Sequence, residues 1–273
     1  MKNKPKLLFV YDHKDPDRWL DGLWAALNLL EEDFGIYRMN LAVTDKPQPS
    51  PMSNDGYDFM LGWGGFNSSV DKFFQEIIPN ADEPKGLCIG GNAFPYREGY
   101  DVLFYETEWV KNFLQLPSDK SFHAFGVNTD IFNTINIPTP VIWDYIGVGS
   151  FSNWKRWEKM KDKKGNRLVV GEYQKDNPDE SGAITKHLLS YGVMVSNMVN
   201  PYDLANFYHW SRTLYMPSTV MGGGERSVLE ARSCGLKVEI EDDNPKLKEL
   251  LTSPIWDEKY YAQKLKEGIL SVL

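Results

Sequence analysis

Cysteine is scarce in this chain: among 273 residues there are two, Cys88 and Cys234, each in an apolar stretch. Two thiols build neither a cysteine metal framework nor a disulfide-dense scaffold, so both are expected as buried packing residues. Long apolar runs are missing as well. Stretches such as Lys6 to Tyr11 and Val102 to Tyr105 fall far short of the roughly 20 residues a membrane-spanning helix needs, and the N-terminus lacks the hydrophobic segment of a signal peptide. A soluble, cytoplasmic protein is the expectation. Positive charge is in deficit, with 30 Lys and Arg against 38 Asp and Glu for a net charge of −8. The protein as a whole therefore has no attraction for a polyanion, although Lys155, Arg156 and Lys159 to Lys164 form a local basic patch. The first apolar run is followed by "YDHKDPDRWLDG", which lacks the G-x-G-x-x-G turn of a dinucleotide-dependent oxidoreductase. No carboxylate pair has the spacing of a glycosidase, and Asp242-Asp243 reads as a solvated loop rather than a metal site.

What is present is the composition of a folded enzyme-sized protein. Hydrophobic residues make up 42% and charged residues 25%, and the 16 prolines are dispersed, which excludes disorder. This length gives a prior of about two domains at roughly 150 residues each. Aromatic residues reach 14%, with nine Trp; most such rings fill cores, while some stack on ligands in clefts.

Short β-rich runs alternate with helical patterns, which argues for parallel sheets with crossover helices. Lys6 to Tyr11 reads as a strand buried on both faces, and Leu20, Leu23, Trp24, Leu27 and Leu30 give one apolar helix face. Further strands are expected at Tyr57 to Leu61, Gly86 to Ile89, Asp101 to Tyr105 and Ser121 to Phe125, with a helix at Glu108 to Leu116. The segment "INIPTP", Ile135 to Pro140, reads as a linker. Beyond it the pattern restarts: strands at Val141 to Val148, Arg167 to Gly171, Val193 to Ser196, Thr213 to Met216 and Lys237 to Ile240, and helices near Asn153 to Lys161, Gly182 to Tyr191, Pro201 to Trp210, Arg226 to Cys234, Pro245 to Leu251 and Asp257 to Leu270. The expected fold class is α/β, with two Rossmann-like doubly wound domains facing across a cleft: 1–136, 137–255, and a C-terminal helix over 256–273 packing back towards the first domain. Ligands of open α/β sheets bind beyond the carboxyl ends of the strands.

The segment richest in chemistry is "YMPSTVMGGGERSVLEARSCGLKVE", Tyr215 to Glu239. A strand ends at Pro217-Ser218, glycines follow, and a helix starts near Glu225. Glycines let a ligand approach the backbone, and a helix N-terminus presents unpaired N–H groups and a positive dipole end, so Gly223, Gly224, Glu225, Arg226 and Ser227 can cradle a phosphate. The plain alternative is a tight strand-to-helix turn.

Pro217, Ser218, Glu230, Ala231, Cys234, Gly235 and Val238 stand in register with the signature of retaining GT-B glycosyltransferases of the large family 4 type, which the segment resembles. The resemblance implies a nucleotide-sugar donor held by the C-terminal domain, no cofactor and no metal, and assigns the ribose hydroxyls to Glu230. The family's first acidic residue, a donor-sugar contact, falls on Gly222; Glu225 either takes over that role or complements the helix dipole. A second likeness is "IGVGSFSNWKRWE", where the family holds the diphosphate with an arginine after glycine and a lysine beyond it. Lys155 matches the lysine by its distance from Gly149, Ser150 stands at the arginine position, and Arg156 is the natural substitute. "HAFGVNTDIF" resembles the turn that closes the family's first domain, with His123 read as structural.

In such proteins the first domain holds the acceptor. Here the candidates are Asp12, Asp21, Trp63 and Asn92, with His13 as acid or base because imidazole titrates near neutrality; the alternative is that these residues cap helices or fill loops. Lys155, Glu225 and His13 are the candidate catalytic residues. The expected activity is transfer of a hexose from a nucleotide-diphosphate sugar, UDP favoured and GDP second, to a hydroxyl acceptor, with retention and without metal. Two rivals are a nucleotide-sugar-binding module without transfer, motivated by Gly222 and Ser150, and a glucosyltransferase acting on modified bases in nucleic acid. The absence of Lys and Arg enrichment in the first 140 residues weighs against the latter.

Overall fold

The structure, a computed structural model, describes residues 4–13, 22–42, 56–77, 82–90, 95–134, 140–174 and 176–273. The chain forms two compact units, which divide between Gly126 and Val127; Asp257–Leu273 belongs with the first.

The first unit is built on a parallel sheet. Its strands are β1 (Lys6–Tyr11), β2 (Gly35–Asn40), β3 (Phe59–Gly64), β4 (Lys85–Ile89), β5 (Val102–Tyr105) and β6 (Ser121–His123), in the order β2-β1-β3-β4-β5-β6. The continuous apolar run of β1 is explained by burial on both faces: Leu7 and Phe9 enter one core cluster and Leu8 and Val10 the other. Helices α1 (Gly22–Leu30) and α8 (Glu258–Leu270) cover the first face through Leu23, Leu27, Tyr261 and Leu265, while α2 (Ser69–Lys72), the π turn that continues it to Ile77, and α3 (Glu108–Phe113) cover the second. Strand β2 and the α2 segment were not anticipated. β2 reads "GIYRMN" and is half-buried except at the exposed Tyr37, so it presents no apolar alternation strong enough to mark a strand.

The second unit carries β7 (Trp143–Val148), β8 (Arg167–Gly171), β9 (Met194–Asn197), β10 (Ser211–Met216) and β11 (Lys237–Ile240), all parallel, in the order β11-β10-β7-β8-β9. Between them run α4 (Pro178–Ser190), α5 (Pro201–His209) and α6 (Glu225–Ser233), and α7 (Pro245–Thr252) follows β11. Helices α4, α5 and α7 each start at an Asn-Pro pair. Asn177, Asn200 and Asn244 accept the backbone N–H groups of Glu180, Asp203 and Leu247, and the prolines that follow have their φ preset for the first helical turn.

The expected helix at Asn153 to Lys161 is instead two 3₁₀ turns, Asn153–Lys155 and Trp157–Asp162, broken by Arg156 in the left-handed region at φ 51°, ψ 40°. No helix among the described residues is long and apolar enough to cross a membrane.

Each sheet has one point where successive strands depart in opposite directions. In the first unit β2 and β3 flank β1, so the point lies beyond β1 and β3. In the second, β8 and β9 run outward on one side of β7, and the chain then returns to place β10 on the other side. The crevice beyond β7 and β10 is where an open α/β sheet binds its ligand.

Candidate functional site

That crevice is formed by the loops after β7 and β10. Strand β10 passes into Pro217 and the fully buried Ser218, whose hydroxyl donates to the Gly223 carbonyl at 2.7 Å and closes the glycine turn. Gly224 caps α6 at φ 123° and has no side chain to satisfy the first-turn amides, which are the donors a bound anion would use. Gly222 is pressed against the next loop: a Cβ there would lie 2.5 Å from the Trp154 carbonyl oxygen, the same oxygen that accepts the Thr219 N–H at 2.8 Å. The position where the resembling family carries glutamate has no room for a side chain unless the backbone shifts.

From the β7 loop, Lys155 reaches into the turn. Its side chain is 6% exposed and its Nζ stands 3.7 Å from where a Cβ on Gly223 would be. Burial pushes its pKa down to about 8; the nearby Glu225 carboxylate pulls upward, and the Lys246 and Arg226 charges push further down. Glu225, in the first turn of α6, is itself buried and pairs with the Nζ of the fully buried Lys246 at 2.5 Å. Lys246 was missed in the sequence, where a lysine in an amphipathic helix reads as a solvated side chain.

Glu230 faces the interior of the unit. Tyr208 donates its hydroxyl to Oε2 at 3.1 Å, and Arg226 approaches Oε1 at 3.5 Å from one helical turn earlier. Burial, then the Glu230 charge, raises the Cys234 thiol to about 12, so it is an inert packing residue. Ser227 is placed on the same turn, its hydroxyl 3.5 Å from the Val148 carbonyl, and the Ser150 hydroxyl lies 3.2 Å from that of Ser152.

Arg156 requires reassignment. Its Nε donates to the Pro217 carbonyl at 2.6 Å, Nη2 to the Ser218 carbonyl at 3.2 Å, and Nη1 and Nη2 form a fork on Asp243 at 2.6 and 2.7 Å. With its donors engaged in this way it clamps the end of β10 rather than serving as a free phosphate ligand, and Asp243 is correspondingly not an idle loop residue. Two further lysines of the basic patch are engaged likewise: Lys159 pairs with Glu241 at 2.5 Å and Lys163 with Glu239 at 2.9 Å, while Lys163 also sits 3.9 Å above the Tyr215 ring. These contacts staple the loop that carries Lys155 to the β10–β11 side of the sheet.

In the first unit, Asp12 and His13 follow β1 and Trp63 lies near the end of β3, all at that sheet's switch point. The Asn40 side chain fixes the His13 backbone, accepting its N–H at 3.1 Å and donating to its carbonyl at 2.6 Å. The Trp63 ring lies over Gly90, 3.1 Å from where a Cβ would be. Asp21 and Asn92 lie outside the described residues. His123 accepts or donates at both ring nitrogens, to Tyr260 at 3.0 Å and the Glu106 carbonyl at 3.1 Å. Burial lowers its pKa.

Two Rossmann-like parallel-sheet units, with a glycine turn and helix N-terminus at the switch point of the second, make up the GT-B fold. No protein-family model and no curated protein matches the chain at the sequence level. Among solved structures the fold is shared with AviGT4, a glycosyltransferase involved in avilamycin A biosynthesis, at TM-score 0.67 and 13% identity over 98% of both chains. It is shared also with Alr3699/HepE of Anabaena in complex with UDP and glucose, at TM-score 0.63 and 12% identity over 98% of this chain and 89% of that one. A third is UDP-GlcNAc 2-epimerase of Neisseria meningitidis bound to UDP-GlcNAc, at TM-score 0.58 and 15% identity over 97% and 91%.

Proposed function

We propose that this protein is a hexosyltransferase that holds a nucleotide-diphosphate sugar, UDP-linked by preference, on its second unit and transfers the sugar to a hydroxyl of an acceptor held by the first. The observation that carries this reading is the buried Lys155 ammonium set against Gly223 and the uncapped start of α6, at the point of the sheet where an α/β fold binds ligands. An ammonium and a row of amides stabilise charge developing on a departing diphosphate, which is the main demand of glycosyl transfer without a metal. Glu230 accepts the ribose hydroxyls, with Tyr208 and Arg226 fixing its orientation; Ser227 and the Gly224–Arg226 amides line the phosphate path. Asp12, His13 and Trp63 serve the acceptor. Transfer with retention and independence of metal follow the resemblance of the Tyr215–Glu239 segment to the retaining family. The protein's likeness to solved structures named with UDP and UDP-sugars supports the choice of donor.

A second reading, binding without transfer, is favoured by Gly222, because the Trp154 carbonyl occupies the space a donor-contacting carboxylate would need. Calorimetry with UDP, GDP, ADP and their common sugars, followed by an assay for slow release of free sugar, separates the two. Selective binding with hydrolysis supports transfer. Binding with the sugar returned intact supports the second reading, release of a C2 epimer points to epimerisation, and no nucleotide binding at all refutes the proposal.

A further inference from the structure

Glu225 interacts with two ammonium groups. Its Oε1 lies 2.5 Å from Lys246 Nζ, and its Oε2 and Lys155 Nζ each lie 3.7 Å from the point a Cβ on Gly223 would occupy, close enough for the carboxylate to act on the Lys155 charge. The three residues are 6% (Lys155), 5% (Glu225) and 0% (Lys246) exposed. Two ammoniums and one carboxylate leave one buried positive charge in surplus, and the N-terminus of α6 adds to it. Among the described residues the Lys155 ammonium makes no hydrogen bond, and Lys246 Nζ has no hydrogen-bonding partner beyond its ion pair with Glu225. A buried charge without compensation is strongly unfavourable, so the cluster is built to be completed by an anion.

We infer that Lys246 is a positioning residue of an anion site: it engages Glu225, which would otherwise neutralise Lys155, and so leaves one buried positive charge for a diphosphate. Lys246 itself is fully enclosed and reaches the ligand only through Glu225. The depressed pKa of Lys155 is in keeping with a cation awaiting its counterion. This inference deepens the functional reading and rests on its placement of the phosphates at the glycine turn.

The test is a charge ladder read with inorganic pyrophosphate, UDP and uridine as probes. The cluster surplus is one in the wild type, zero in Lys246→Met, two in Glu225→Gln and one again in the Glu225→Gln/Lys246→Met double variant. Pyrophosphate affinity is expected to fall roughly ten- to hundredfold in Lys246→Met, the range for one charge-assisted contact. It should return close to wild type in the double variant and be equal or tighter in Glu225→Gln, while uridine affinity stays level across the series. A purely structural role for Lys246 would not be rescued by removing Glu225. A double variant that binds pyrophosphate no better than Lys246→Met overturns the inference; if Lys246→Met does not fold, loss of pyrophosphate binding in the folded double variant does so. UDP binding that is indifferent to the ladder overturns the inference and leaves the nucleotide reading intact. Pyrophosphate binding that follows the ladder without any UDP binding upholds the cluster and removes the nucleotide reading.

Discussion

The titration of Lys155 offers the sharpest check on the donor site. Burial has moved this lysine from its ordinary value of 10.5 to about 8, a difference of about 3 kcal/mol at 1.36 kcal/mol per decade, held against the charged form. Without ligand, the unfolded chain binds more protons than the folded one between these two values. The contribution of Lys155 to folding stability is therefore least favourable below pH 8 and improves as the pH climbs towards 10.5. Ligand binding has the opposite preference, because a diphosphate contacts the ammonium and not the neutral amine. The association constant for UDP should fall about twofold between pH 7 and 8 and then by up to about tenfold per pH unit, with uptake of close to one proton per UDP bound near pH 9. Above pH 7 the terminal phosphate, whose second ionisation lies near pH 6, is already fully charged and contributes no slope. Calorimetry in two buffers of different ionisation enthalpy measures both affinity and proton uptake. A level affinity from pH 7 to 10, or the same decline in Lys155→Met, would refute the assignment.

Three further outcomes are expected. Arg156→Lys removes the fork on Asp243 and the contacts to Pro217 and Ser218; it should cost about 1–2 kcal/mol and lower Tm by several degrees, and an unchanged melting curve would show that the clamp holds nothing. Gly222→Glu should destabilise by about 1–3 kcal/mol because its Cβ meets the Trp154 carbonyl; a stable variant with raised turnover would show that the loop readily accepts the carboxylate. Glu230→Gln, which keeps an acceptor for Tyr208, should weaken UDP by about 1–3 kcal/mol and leave the 2′,3′-dideoxy analogue unaffected; equal losses for both ligands would remove Glu230 from the ribose.

The parts of the fold that could be read from sequence are those in which one physical demand dominates. β1 is apolar at successive positions because both faces are covered, and α5 and α7 start at the expected Pro201 and Pro245, whereas α4 starts at Pro178, four residues ahead of the expected Gly182. β2 was invisible because a half-buried edge strand carries Tyr37, Arg38 and Asn40 without periodic contrast. Its Asn40, which fixes His13, could not be anticipated for the same reason. The glycine turn was legible because backbone freedom and a helix start leave marks in sequence, whereas Glu230 was singled out by the resemblance of its segment alone. The partners of the charged residues were not. Arg156 sits beside Lys155 in the chain, yet its left-handed backbone accompanies a side chain bound to Pro217, Ser218 and Asp243, while Lys155 is buried beside Gly149. Lys246 pairs with Glu225 from a different helix, and spacing along one element carries no record of such a contact.

The staple between the β7 loop and the far side of the sheet has a consequence for solubility. Among the described residues β11 is a terminal strand of its sheet, with one flank carrying no neighbouring strand, and such a flank is a template on which another chain can add. It is four residues long, and its Glu239, with Glu241 just beyond, is held by Lys163 and Lys159. An incoming strand would find only a short strand on which to add, flanked by ionised side chains, including Lys237 paired with Glu239 at 2.7 Å, which is how natural sheets blunt an edge. The segment that delivers Lys155 to the crevice thus also holds the charges of the terminal strand in place. Substitutions that remove Lys237 and Glu239 are expected to raise self-association of the protein.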